Sequence, residues 1–215
     1  MIKNYKLGLK LLKYSYGIKQ CVLIALLFFV IGLLLFMVNS SGFLGPLYLG
    51  VSAIYITQLL NTLNISSLVQ SSSRKKALQT SIPVLVGLPV YLLAYGLTVV
   101  VEMLLLHTGK TQVQDIVGTL ILVGLMEMWL LAYCGLAYKW FYASVIMFFG
   151  AALFVPSFQY LMEEMVLPHL SLWGAAVIGL MEILTGGCLQ YLISRLTYRL
   201  PIARAAQMRT LQKYM

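Results

Sequence analysis

The chain has 215 residues, of which 61% are hydrophobic and only 10% charged. Soluble domains carry about 25% charged residues, and this chain has too little polar surface to cover itself, so the composition excludes a soluble globular protein. The net charge of +9 does not mark a nucleic-acid binder, because the Lys and Arg sit at the two ends and in short loops, as they do in a membrane protein.

Residues 1–18 are too charged to span. Lys3, Lys6, Lys10 and Lys13 step by three, four and three, which places them on one stripe of a helix. Leu11, Leu12 and Tyr5 lie toward other faces. This predicts an interfacial amphipathic helix on the membrane surface, drawn to anionic lipid through the four lysines. No small-residue cleavage site follows the first apolar run, so no removable signal peptide is expected.

Six apolar spans follow at 20–38, 43–65, 83–106, 115–137, 140–160 and 171–194, each near the roughly 20 residues that cross hydrocarbon. With the N-terminus inside, every Lys and Arg except Lys110 falls on the inner side, while Asp115, Glu163 and Glu164 fall outside. The positive-inside rule then places both termini in the cytosol of a multi-pass cell-membrane protein. Between spans two and three lies Ser66 to Pro83, a polar stretch holding Arg74, Lys75 and Lys76. Three cations cannot rest in hydrocarbon, so the stretch protrudes on the inner face. Ser71 to Ser73 are potential N-caps for a short helix there. Residues 156–170 mix Pro156 and Pro168 with Phe158 and the Glu163–Glu164 pair, which reads as short helices dipping into the outer leaflet between the last two spans. Nothing indicates a second domain.

Catalytic patterns are absent. Gly109–Lys110–Thr111 resembles the tail of a phosphate-binding loop, but that motif needs a Gly at position 104, where Leu stands. Cys21, Cys134 and Cys188 fall inside apolar spans with neither disulfide nor metal spacing. Glu163–Glu164 lacks the His and Arg neighbours of an intramembrane protease. The chain is therefore expected to be no enzyme, with no cofactor or metal of its own. Glu102, Glu127 and Glu182 fall within spans, and no Lys or Arg lies at mid-membrane depth to pair with Glu127 or Glu182. Each is an interhelical polar contact or a group lining a path for cargo. In the second span Thr57, Asn61 and Asn64 step by four and three with Gln58 beside them, giving either interhelical contacts or the wall of a wet pathway. The third span carries no polar stripe. In the last span Ala175 and Gly179 form a small-xxx-small pair suited to close helix packing.

An interfacial helix, six spans, a basic inner insert and short outer helices together resemble the permease subunits of two-component bacterial ABC exporters of the type V fold. The likeness is nearest to the small permeases of peptide-toxin and bacteriocin export. Ser72–Ser73–Arg74–Lys75–Lys76–Ala77–Leu78 is similar to the Ser-Arg-x-x-apolar start of that family's coupling helix, while its usual Leu-Pro just ahead is replaced by Val69, Gln70 and Ser71. The resemblance implies a single permease domain over 1–215 with a coupling helix at 66–82. Ser72, Ser73, Arg74, Lys75, Lys76, Leu78 and Gln79 would dock a separate cytosolic ATPase that binds ATP and magnesium. It further implies a second permease copy, with Thr57, Gln58, Asn61, Asn64, Glu127 and Glu182 along the export path and Phe158, Glu163 and Glu164 at an outer gate. The function expected is export of an amphipathic or hydrophobic cargo such as a peptide. The alternative is a stand-alone membrane immunity or assembly protein without transport.

Overall fold

The computed structural model describes residues 2–15, 17–38, 43–65, 67–137, 139–140, 142–143, 145–147, 149–150 and 170–201. Every element named among them is an α-helix: α1 Ile2–Leu12, α2 Ile18–Val38, α3 Leu44–Ile65, α4 Ser67–Gln70, α5 Lys75–Gln79, α6 Ser81–His107, α7 Val113–Leu136 and α8 Leu172–Thr197. Four stretches are long and apolar enough to cross a membrane by length and composition: α2, α5 with α6 as Lys75–His107, α7 and α8. The 22-residue α3 is the polar one of the five long helices, since Ser52, Thr57, Gln58, Asn61 and Asn64 interrupt its apolar run. The spans expected at 20–38, 43–65, 83–106, 115–137 and 171–194 all coincide with helices. That at 140–160 and the outer helices at 156–170 fall largely outside the described residues.

Helix α7 is the hub. Of its most apolar 18-residue window 72% is buried, against 17% for α2. It packs most extensively on α8, and also on α3 and α6. The α7–α8 contact is a seam of small residues. A Cβ on Gly124 would lie 2.5 Å from the Gly179 Cα, and one on Gly186 would lie 2.7 Å from the Met128 Cα. Backbones this close need residues without side chains, and Ala175, fully buried, continues the row. The small-xxx-small pair is thus used within the chain. Helix α2 instead packs mainly along α3, at its glycines. Gly32 and Gly45 admit the close approach, and Phe28 stacks on Tyr48 and Tyr55 with ring centroids 5.5 and 5.4 Å apart. Apart from buried Ala25, Gly32 and Phe36, α2 is exposed or half-buried, as a lipid-facing helix would be.

The reversal between α6 and α7 is a Schellman motif. Gly109 at φ +70° follows the helix, its N–H donating to the Leu106 carbonyl and that of Lys110 to the Leu105 carbonyl. This is the structural role of the Gly-Lys-Thr triplet.

At the Lys-rich end, α1 packs against α6 and α3. Leu7, Leu11 and Leu12 rest on a cluster of Leu60, Val69, Leu78, Ile82 and Val86. Gly8 permits this, because a Cβ there would sit 2.6 Å from the Val86 Cγ2. Lys3, Lys6, Lys10 and Lys13 all face outward as their spacing predicts. The helix is shorter than expected, ending at Leu12, and Gly17 at φ +73° turns the chain into α2.

Candidate functional site

Two groups of polar residues stand out, one inside the bundle and one at its basic end. Inside, the buried face of α6 carries Tyr91, Tyr95, Thr98 and Glu102, stepping by four, three and four. The expectation that this span has no polar stripe is therefore corrected: tyrosine rings read as apolar in sequence, yet their hydroxyls make a polar row at helical spacing.

The stripe on α3 faces α7. The Thr57 hydroxyl donates to the Ile54 carbonyl at 2.8 Å and lies 3.2 Å from the Cys134 Sγ. With its one proton so placed, Thr57 receives the Cys134 S–H, which leaves the sulfur to accept from the Tyr91 hydroxyl at 3.9 Å. Asn61 Nδ2 donates to the Cys134 carbonyl at 3.3 Å, and the Asn64 carbonyl accepts from Gln70 Nε2 at 2.7 Å. Thr57, Asn61 and Asn64 are all buried and Gln58 is half-buried. Within one chain Thr57 and Asn61 thus join α3 to α7, whereas Asn64 meets α4 through its backbone carbonyl and its buried side-chain Nδ2 has no hydrogen-bond partner among the described residues.

Glu127 on α7 is fully buried, and neither carboxyl oxygen has a hydrogen-bond partner among the described residues. Its Cγ lies against α3, 3.8 Å from where a Cβ of Gly50 would stand. Glu182 on α8 is half-buried, with its Oε2 buried and unpartnered against Gly124 of α7. The Tyr95 hydroxyl donates to the Ala176 carbonyl at 3.1 Å, joining α6 to α8. Glu102, also buried, stands apart from these near Asp115. No group of three or more His, Cys, Asp or Glu able to hold a metal occurs among the described residues.

At the basic end the insert between α3 and α6 forms two short helical turns, α4 and α5, in place of the single helix expected over 66–82. Its capping differs too. The residue before α5 is Arg74, with no side-chain cap, and Ser72 Oγ instead accepts from the Arg74 N–H at 3.1 Å in a local turn. Ser73, Arg74 and Lys76 are exposed, Ser72 and Lys75 half-buried, and Leu78 and Gln79 buried. The last two therefore root the insert and are not part of its outer surface. Lys76 Nζ lies over the Tyr198 ring at 5.5 Å, an attractive cation–π contact that ties the insert to the end of α8. Arg199 Nε donates to the same tyrosine's hydroxyl at 2.9 Å.

Lys139, in the turn after α7, is buried and donates to the carbonyls of Tyr198 at 3.3 Å and Leu200 at 2.7 Å. A cation at a helix C-terminus meets the negative end of its dipole. Desolvation first, and then the neighbouring Lys75, hold its ammonium down to about 8. Sequence reading missed Lys139 and Tyr198 because nothing in their spacing marks them as partners. Phe158, Glu163 and Glu164 lie outside the described residues. No family model, curated protein or solved structure matches this chain.

Proposed function

We propose that the chain is the membrane subunit of an ATP-driven exporter, with six spans, both termini in the cytosol, and the insert between α3 and α6 docking a separate ATPase. The observation that carries this reading is the construction of the insert. Ser73, Arg74 and Lys76 form an exposed basic ledge, while Leu78 and Ile82 a turn away are buried in the cluster that holds α1 and α3. A partner that grips the ledge pulls on the start of α6, and through the Lys76–Tyr198 contact on the end of α8. That is what a coupling element needs.

The ATPase would bind ATP and magnesium. Two copies of the chain would enclose the path, because Thr57 and Asn61 of α3 are engaged with α7 inside one copy. The apolar outer surface of the described helices favours an amphipathic or hydrophobic cargo such as a peptide.

The test is purification from the native membrane together with bound ATPase. Arg74→Glu with Lys76→Glu is expected to release the ATPase and abolish export while the chain stays folded. Retention of both ATPase and export would refute the docking role. A chain that purifies without any ATPase would instead be a stand-alone immunity or assembly protein.

A further inference from the structure

We propose that the basic end of the bundle holds the headgroup of an anionic phospholipid, its phosphate gripped by Lys76 and Arg199 at Tyr198. The inference stands independently of any ATPase partner. It begins with Tyr198, where three parts of the chain meet. Lys76 Nζ, from α5, lies 5.5 Å from the Tyr198 ring centroid, and the Arg199 Cζ lies 5.6 Å from it. Arg199 Nε also donates to the Tyr198 hydroxyl at 2.9 Å. Lys139, from the turn after α7, donates to the Tyr198 and Leu200 carbonyls. One tyrosine thus gathers three cations that lie far apart in sequence.

No acid balances them among the described residues, whose Asp and Glu are Glu102, Asp115, Glu127 and Glu182. Glu127 stands 12 positions before Lys139, and Glu182 stands 16 before Tyr198. At helical rise these are separations of about 18 and 24 Å. Glu102 and Asp115 lie toward the opposite ends of α6 and α7. Exposed charges are largely screened beyond about 8 Å at physiological salt, so none of the four neutralises the cluster. Gathered like charges repel one another, and a bound anion relieves that repulsion. The C-terminus of α8 would by itself oppose an anion, being the negative pole of the helix. Lys139 offsets this by covering two of the carbonyls there. The planar guanidinium of Arg199 suits phosphate oxygens, and Tyr198 engages only one face of its donor set, at Nε.

Position selects a lipid over a soluble anion. Lys76, Lys139 and Arg199 each stand within three residues of an end of the candidate spans Lys75–His107, Val113–Leu136 and Leu172–Thr197. That is the depth at which basic side chains meet lipid headgroups. Trp140, next to Lys139, is exposed, and so are Leu192 and Leu196 on the last turns of α8. An indole at this level is at home between headgroup and acyl chain, and the leucines offer the apolar surface that acyl chains cover. A soluble anion would use the cations and gain nothing from these side chains.

Native mass spectrometry of the whole chain tests this in micelles of an uncharged detergent, where no charged surface draws lipid diffusely. Phosphatidylglycerol is the probe and phosphatidylcholine the comparison; one phosphatidylglycerol is expected to be retained in preference. Lys76→Gln with Arg199→Gln changes two exposed residues and should weaken that retention about thirtyfold, the effect of two basic residues at a membrane surface. Lys3→Gln with Lys6→Gln removes the same charge from α1 and should leave the retention nearly unchanged. Equal retention of the two lipids, or equal losses in the two double variants, would overturn the proposal. Displacement of the phosphatidylglycerol by excess inorganic phosphate would overturn it too, by marking a site for the free anion.

Discussion

The α7–α8 seam makes a prediction whose size follows from the geometry. In Gly124→Ala the new Cβ would stand 2.5 Å from the Gly179 Cα, whereas ordinary contact begins at 3.4 Å, so the two backbones must part by about 0.9 Å. The obstacle is backbone, so no rotamer change relieves it. Overpacking of this kind costs about 1–3 kcal/mol, offset by the roughly 0.8–1 kcal/mol that Ala gains over Gly inside a helix. The net expectation is a loss of up to about 2 kcal/mol, a factor of up to roughly 30 in the folded population. Gly186→Ala meets the Met128 Cα at 2.7 Å and should behave alike. Gly96→Ala is the control: nothing lies within 4 Å of its Cβ, so only the propensity gain remains and the chain should become more stable. Reversible unfolding by denaturing detergent, followed by circular dichroism, measures all three. If Gly124→Ala and Gly186→Ala prove as stable as Gly96→Ala, the helices are not in backbone contact and the seam is misplaced.

Three further outcomes are expected. Gly8→Ala puts a Cβ 2.6 Å from the Val86 Cγ2 and 2.8 Å from the Ile82 Cγ2, and should loosen α1 from α6; amide exchange in α1 would then rise about tenfold, which corresponds to about 1.4 kcal/mol, and unchanged protection would refute the packing. Lys139 titrates at about 8 in the folded chain against 10.5 when free. The folded state then binds fewer protons than the unfolded one between those values, so stability should rise with pH across about 8 to 10.5; Lys139→Met should flatten that rise, and an identical slope in both chains would refute the assignment. Asn61→Leu removes the bond to the Cys134 carbonyl and should cost about 0.6 kcal/mol, the usual worth of an interhelical bond in a membrane protein; a loss above about 2 kcal/mol would mean the residue does more than join α3 to α7.

Much of this molecule is legible in its sequence, and the limits are physical. The spans could be read because hydrocarbon demands long apolar runs, and the expected 171–194 and the observed Leu172–Thr197 differ by a turn at most. The outward stripe of four lysines on α1 follows from period alone. Its seat on α6 does not, because Gly8 reveals a close approach only once the opposing Ile82 and Val86 are in place. The polar stripe of α3 was visible too, but a period names a face and not the neighbour that covers it. Whether Thr57 met water or Cys134 was thus undecidable from spacing. Likewise Ala175 and Gly179 announced a tight contact without identifying Gly124 as the other side. The insert misled through its serines, which favour a cap in general, while here Ser72 closes a local turn and the helix begins after Arg74.

The central place of α7 bears on how the chain is assembled. Helix α2, exposed along most of its length, can settle in lipid as soon as it leaves the translocation machinery. Helix α7 cannot, for its glycines and Glu127 are shaped for neighbours and not for acyl chains. Its principal partner α8 is made only after residues 137–171 have been added. During that interval α7 must shelter against α3 and α6 with the Gly124 side of its surface uncovered. The α7–α8 seam is therefore completed well after α7 itself has been made, and substitutions along it should reduce the yield of assembled protein before they alter anything the assembled protein does.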